Sequence, residues 1–173
     1  MEIGIRQAKL DDISEVSRLF NDYRMFYGQD SDLEGASRFI HERMSNHDSI
    51  IFIAEWSKEI EEESDAAMYE KCDEIQERGA GLVQIYPSYS SVSMGPIWIL
   101  NDLYVDSKDR KQGIARKLMQ AVMKQAQKHK IIRISLSTAI SNQKAQALYE
   151  SEGYTRDQSF MYYECSIQRE DES

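Results

Sequence analysis

Residues 100–119 read Leu100-Asn-Asp-Leu-Tyr-Val-Asp-Ser-Lys-Asp-Arg-Lys-Gln-Gly-Ile-Ala-Arg-Lys-Leu-Met119, and their period changes midway. Asp102, Leu103, Tyr104 and Val105 read as extended chain. Ser107 to Asp109 form a polar turn. From Gly113 onward Ile114, Leu118, Val122 and Ala126 recur at helical spacing, with Ala115, Met119 and Met123 beside them. A strand, a turn and a helix therefore follow one another. The helix opens at Arg110-Lys-Gln-Gly-Ile-Ala115, a small-residue turn flanked by cations. Its first backbone N–H groups have no helical partners and carry partial positive charge, which suits a phosphate. Gly113 lacks a Cβ, so the backbone there can approach a ligand closely.

Working outward, the chain alternates strands and helices. Ile3 to Gln7 is a short strand. Asp11 or Asp12 can cap the next helix, with Glu15 reaching back, and Ile13, Val16, Phe20, Tyr23 and Tyr27 follow at helical spacing up to Gly28. A second helix covers about Asp32 to Met44. Ser49 to Ala54 and Gly81 to Tyr86 read as strands, the latter ended by Pro87 to Ser91. Pro96 to Val105 is a long strand, and Ile131 to Ser137 alternates with period two. Asn142 precedes a short helix, Gln143 to Glu152, ended by Gly153. Tyr154 to Arg156 and Phe160 to Ile167 read as two closing strands. This order predicts an α+β fold of mixed α/β layers around one sheet.

The 173 residues predict one domain, 1–173, with an acidic helical insertion at about 56–79. Apolar content of 41% and two prolines argue for a folded chain. No apolar run reaches the ~20 residues that span a bilayer, and the N-terminus lacks a signal-peptide pattern. Cys72 and Cys165 lie far apart and read as reduced thiols of a cytoplasmic protein. His41, His47 and His129 are scattered, so no metal is expected.

The net charge of −9 is uneven. Lys58 to Arg78 holds nine acids against three bases, whereas Asp106 to Arg133 holds nine bases against two acids. A nucleic-acid protein would be basic more broadly. The pattern suits a small polyanion held locally and a cationic second substrate met by the acidic remainder.

Arg110-x-x-Gly-x-Ala115 after a strand, with Asn142 and Ala145-x-x-Leu-Tyr149-Glu-x-x-Gly-Tyr154 downstream, resembles the GNAT superfamily of N-acetyltransferases. The resemblance is strong over about residues 80–165 and looser over the first fifty. It implies a GNAT-like acyl-CoA N-acyltransferase fold: a central, mostly antiparallel sheet of six to seven strands, with a parallel pair that splays apart, flanked by helices. It implies acetyl-CoA as co-substrate. Arg110, Lys111, Gln112, Gly113, Ile114, Ala115 and Arg116 would hold the CoA pyrophosphate. Leu103, Tyr104 and Val105 would line the pantetheine arm. Asn142 would touch that arm, cap its helix, or do both. Tyr149 matches the tyrosine that protonates the departing CoA thiolate; read without the family it is core packing.

The acceptor side is more open. Asp102 is the carboxylate nearest the expected thioester and is either a base, directly or through water, or a structural acceptor. The segment Asn101 to Val105 and the stretch Gln84 to Ser91 resemble the small-molecule amine and polyamine branch, whose members often carry glutamate where this chain has Asn101. Asn101 and Asp102 cannot both face a substrate without a bulge. Tyr23, Tyr27, Gln84, Tyr86, Tyr89 and Trp98 are either pocket walls or ordinary sheet and helix packing. The expected partner is a small-molecule primary amine, with no nucleic acid and no membrane. A homodimer is the expected assembly, since many relatives pair through their sheets. The alternatives are a protein lysine or N-terminal acetyltransferase, and a non-catalytic acyl-CoA sensor.

Overall fold

Ile51, Phe52, Ile53 and Ala54 are all buried, and so is every residue from Gly79 to Ile85. Strands buried on both faces belong in the middle of a sheet with helices on each side. The computed structural model describes residues 2–57 and 78–167 and has that arrangement. Its elements are β1 (Glu2–Gln7), α1 (Ile13–Phe26), α2 (Leu33–Ser45), β2 (Ile50–Ser57), β3 (Gly79–Ser90), β4 (Gly95–Val105), α3 (Ile114–Lys128), β5 (Arg133–Ser135) and α4 (Gln143–Ser151). The sheet runs β1-β2-β3-β4-β5. Neighbours are antiparallel as far as β4, and β5 lies parallel to β4.

Two core clusters occupy the two faces. Val16, Leu19 and Phe20 of α1 and Ala36 and Ile40 of α2 bury against Ile51, Ile53, Leu82 and Tyr104. On the opposite face Ile114, Leu118, Val122 and Ala126 of α3 bury against Phe52, Ala54, Val83, Ile85, Trp98 and Leu100. The helical stripe of α3 therefore packs as its spacing predicted. The chain divides into two compact units, Met1–Ala139, with the sheet and α1 to α3, and Ile140–Ser173, with α4.

The sheet has five strands among the described residues, not six to seven. Tyr154 to Arg156 and Phe160 to Ile167 form no strand. The Asp157 carboxylate accepts from the Ser159 and Phe160 amides at 2.7 and 3.1 Å, so a local turn takes backbone groups that a ladder would need. β5 is also shorter than its alternation suggested. The Ile131 amide still donates to the Ala126 carbonyl as the chain leaves α3, and the Ile132 amide donates to the Pro96 carbonyl. β3, by contrast, runs on through Pro87 to Ser90. Pairing with β2 stops at Ile85, so Pro87 sits on an edge stretch where its missing N–H is tolerated.

The start of α1 also differs from expectation. A 3-10 turn, Leu10–Asp12, precedes the helix. Asp12 makes no side-chain cap of α1. Its carboxylate accepts from the Lys9 amide at 2.7 Å and from Arg6, whose guanidinium also binds Glu55. Glu15 does not reach back; it accepts from the Gly79 amide at 2.7 Å and from Arg18. Of the acidic insertion expected at about 56–79, residues 58–77 lie outside the described residues.

The feature that positions the site is in β4. Gln84 pairs with Asp102, and Ile85 pairs with Leu100, so Asn101 is an extra residue in the ladder. Trp98 and Leu100 face α3 before the bulge, and Leu103 and Val105 pack against that same cluster after it. Tyr104 faces α1 and α2, and by alternation so does Asp102.

Candidate active site

β4 pairs with β5 only over Ile97 to Ile99. From Leu100 to Val105 it keeps β3 on one side, and among the described residues no strand pairs on the other. The parallel pairing therefore stops after Ile99. An edge with spare N–H and C=O groups can accept an extended, amide-bearing chain.

The turn after β4 leaves the first amides of α3 uncapped, a geometry suited to an anion. Lys111 has φ +66° and Gly113 φ +76°, both left-handed, and α3 begins directly afterwards at Ile114. Residues of alternating hand turn successive N–H groups toward one side, a concavity that favours anions. No side chain caps α3, and no acid lies in its first turn. Lys111, Gln112, Gly113 and Arg116 are exposed around it, Ala115 is half-buried, and Ile114 is buried in the core. Arg110 is placed differently from its neighbours. Its Nε donates to the Val105 carbonyl at 3.1 Å, and its guanidinium lies 5.2 Å from the Phe26 ring and 5.7 Å from the Tyr104 ring. It braces the end of β4 against α1.

An ionic network holds the same turn from beneath. Arg78 bonds both Asp106 and Asp109, Arg18 reaches Asp106 at 3.3 Å, and the Trp56 indole donates to Asp109 at 3.0 Å. Asp106 also accepts from the Lys108 amide at 3.1 Å. Burial works against its charge, but the Lys108 amide, Arg78 and Arg18 outweigh it and hold the carboxyl below the ordinary carboxylate range. Sequence reading missed this network, because its members come from four separate segments.

The chemistry-bearing cluster lies on the α1–α2 face. Asp102 is only 3% exposed. Its carboxylate accepts from the Asn101 amide at 3.2 Å and from the Tyr23 hydroxyl. Among the described residues no cation pairs with it. Burial raises its pKa, and the bonds from Tyr23 and Asn101 offset part of that rise. Tyr86 stands nearby, its phenol pushed up to about 12, first by burial and then by the charge of Asp102. It stays protonated at neutral pH. Tyr27 is half exposed and meets the Tyr23 ring edge-on at 5.0 Å. At the bulge the Asn101 side chain donates to the carboxylate of its neighbour Asp102. Trp98 is not part of this cluster; it is buried on the α3 face near His129. Tyr89 is exposed near the turn between β3 and β4.

In the second unit, Asn142 caps α4, its Oδ1 accepting from the Ala145 amide at 3.3 Å. Tyr149 is half-buried on α4, with the Tyr154 ring 6.1 Å away. The Tyr154 phenol is pushed up to about 12, by burial and then by Tyr149 and Glu152. No metal-ligating cluster exists among the described residues. No helix among them is long and apolar enough to cross a membrane.

Residues 16–154 match the sequence profile of the Acetyltransferase (GNAT) family. The chain is 39% identical over 161 residues to the uncharacterized N-acetyltransferase YhfO of Bacillus subtilis (strain 168), covering 93% of this chain and 95% of that one. A crystal structure of a probable acetyltransferase superposes with a TM-score of 0.79 at 34% identity, covering 96% of this chain and 99% of the other. An aminoglycoside acetyltransferase from an uncultured soil metagenomic sample shares the fold, with a TM-score of 0.72 at 15% identity over 96% of this chain and 97% of the other. The chain belongs to the GNAT family of acetyltransferases and is an acetyl-CoA-dependent acyltransferase.

Proposed function

We propose that the acceptor is a primary amine of a small molecule, which attacks the acetyl group directly while both substrates are bound. The observation that carries this reading is Asp102, a buried carboxylate with no cationic partner among the described residues. An ammonium would supply the missing counter-charge. It would also supply the proton that must leave before attack, and a carboxyl with a raised pKa is a better base than an exposed one.

The donor supplies an activated acyl carbon. Its pyrophosphate rests on the amides of Gly113, Ile114 and Ala115, with Lys111, Gln112 and Arg116 at the rim. The pantetheine arm lies along Leu103, Tyr104 and Val105; for Asn142 a contact with that arm is carried over from the family pattern alone. Asp102 takes one proton from the ammonium and later yields it to solvent. The amine nitrogen then bonds to the acyl carbon, and a backbone N–H near Leu103 offsets the charge that develops on the carbonyl oxygen. As the C–S bond breaks, Tyr149 gives its proton to sulfur. The second proton lost from nitrogen balances that one. The roles of Asn142 and Tyr149 rest on their places in the family pattern, and the roles of the other residues on the geometry of the first unit.

Release of CoA across a panel of amines and peptides tests the reading. Turnover with small primary amines is the expected result. Turnover with peptides alone would replace the acceptor with a protein lysine or N-terminus. Tight acetyl-CoA binding without release would make the protein a sensor. We place the enzyme in the cytosol, where a thiol such as that of the exposed Cys165 stays reduced. A homodimer is the assembly to test by light scattering.

A further inference from the structure

Gln84 is 0% exposed, and neither its Oε1 nor its Nε2 has a hydrogen-bond partner among the described residues. Burying an amide in this way is costly, whereas a leucine of similar size would cost nothing of the kind. The surroundings sharpen the contrast. Gln84 pairs with Ile51 on one side and Asp102 on the other, and Leu82 lies two residues back on the same face. That face is the apolar layer under α1 and α2. An unpartnered amide there asks for a ligand.

The ladder says where the ligand would be. Directly opposed residues in an antiparallel pair have Cβ atoms roughly 4.5–5.5 Å apart on one face. Gln84 and Asp102 are such a pair, and the bulge begins at the next rung. Tyr23 hydrogen-bonds the Asp102 carboxylate from α1, and Tyr86 follows on the same face of β3. An ammonium has three N–H donors, and Asp102 serves one of them. The second can go to Gln84 Oε1. Gln84 Nε2 then still needs an acceptor atom, which the ammonium cannot offer.

We infer that Gln84 is a specificity-determining residue of the acceptor site: its Oε1 accepts from the reacting amine, and its Nε2 donates to an oxygen on the carbon next to the one bearing that amine. The acceptor class is thus a primary amine with a vicinal hydroxyl or carbonyl oxygen. The inference rests on the amine-acetyltransferase reading above.

Gln84→Leu and Gln84→Met test it, each assayed by CoA release with matched amines that differ only in the vicinal oxygen, and each checked by thermal unfolding. The wild type is expected to prefer the oxygen-bearing amine. Both variants are expected to fold at least as stably, to lose that preference, and to show an acceptor KM raised about tenfold or more with the acetyl-CoA KM unchanged. An unchanged acceptor KM in the variants overturns the role of Gln84 and leaves the transferase reading intact. A wild type indifferent to the oxygen overturns it too. Failure of both variants to fold would also overturn it, since the amide would then stabilise the resting protein. No CoA release by the wild type with any amine or peptide overturns the transferase reading itself.

Discussion

A Cβ placed on Gly81 would lie 2.6 Å from the carbonyl oxygen of Tyr104, and 3.3 Å from the Cα of Val105. Both obstacles are backbone and cannot swing aside. β3 and β4 approach this closely at the end of β4 that feeds the anion turn. Gly81→Ala is therefore expected to cost about 1–3 kcal/mol, with the melting temperature falling by roughly 2–4 °C for each kcal/mol. Thermal unfolding checks this, and an unchanged melting temperature would mean that the strands part without cost.

Gly113 poses a different case. Nothing lies within 4 Å of an added Cβ, but φ is +76°. Gly113→Ala thus carries only the backbone cost of a left-handed residue, roughly 1–2 kcal/mol. Relaxation of that φ would turn the first amides of α3 away from their shared side. The acetyl-CoA KM is expected to rise severalfold while the acceptor KM holds. Calorimetric titration with CoA gives the same answer without turnover, and undiminished CoA affinity would remove the turn from the donor site.

Asp102 predicts a pH dependence of definite sign. Burial raises its folded pKa above the ordinary 3.8, so the native state holds the proton more tightly than the unfolded chain. Below the ordinary value both states are protonated and the group costs nothing. As pH rises through the folded value, ionisation penalises the native state. Asp102→Asn is therefore expected to raise the melting temperature at neutral pH and to lose that gain as pH falls toward the ordinary carboxylate value. The same substitution is expected to remove the acid limb of the acceptor kcat/KM profile and to lower its plateau about a hundredfold. A variant with the wild-type profile would leave Asp102 a structural acceptor.

Tyr149→Phe separates chemistry from binding. Loss of a general acid is expected to lower kcat about a hundredfold. The dissociation constant for CoA is expected to stay unchanged by titration. Equal losses in both would return Tyr149 to packing in its helix.

Much of the frame was readable from residue spacing alone. The α3 stripe of Ile114, Leu118, Val122 and Ala126 is the buried face observed, and Asp32, Gly113 and Asn142 start their helices as their residue types suggest. These are local properties of the chain. The length of β5, the path of β3 through Pro87 and the absence of closing strands depend on which neighbour each segment finds, and no window of sequence carries that. The same holds for the site. That Asn101 and Asp102 needed a bulge to act together was a deduction from strand period, but the position of Gln84 opposite Asp102 is a matter of register. For Trp98 the two sequence alternatives, pocket wall or sheet packing, resolve to packing on the α3 face.

The extra residue at Asn101 makes β4 two half-strands of opposite phase. Each half can be retuned on its own face without disturbing the other, but the joint itself tolerates no shortening. Deleting that one residue would restore a uniform alternation and rotate one half by a face. Either Trp98 and Leu100 would leave their hydrophobic seats, or Asp102 would be driven into the apolar layer beneath α3. A single inserted residue thus keeps the carboxylate on the face of α1 and α2, within reach of the Tyr23 hydroxyl, and the fold carries this buried charge as an interruption in its own counting.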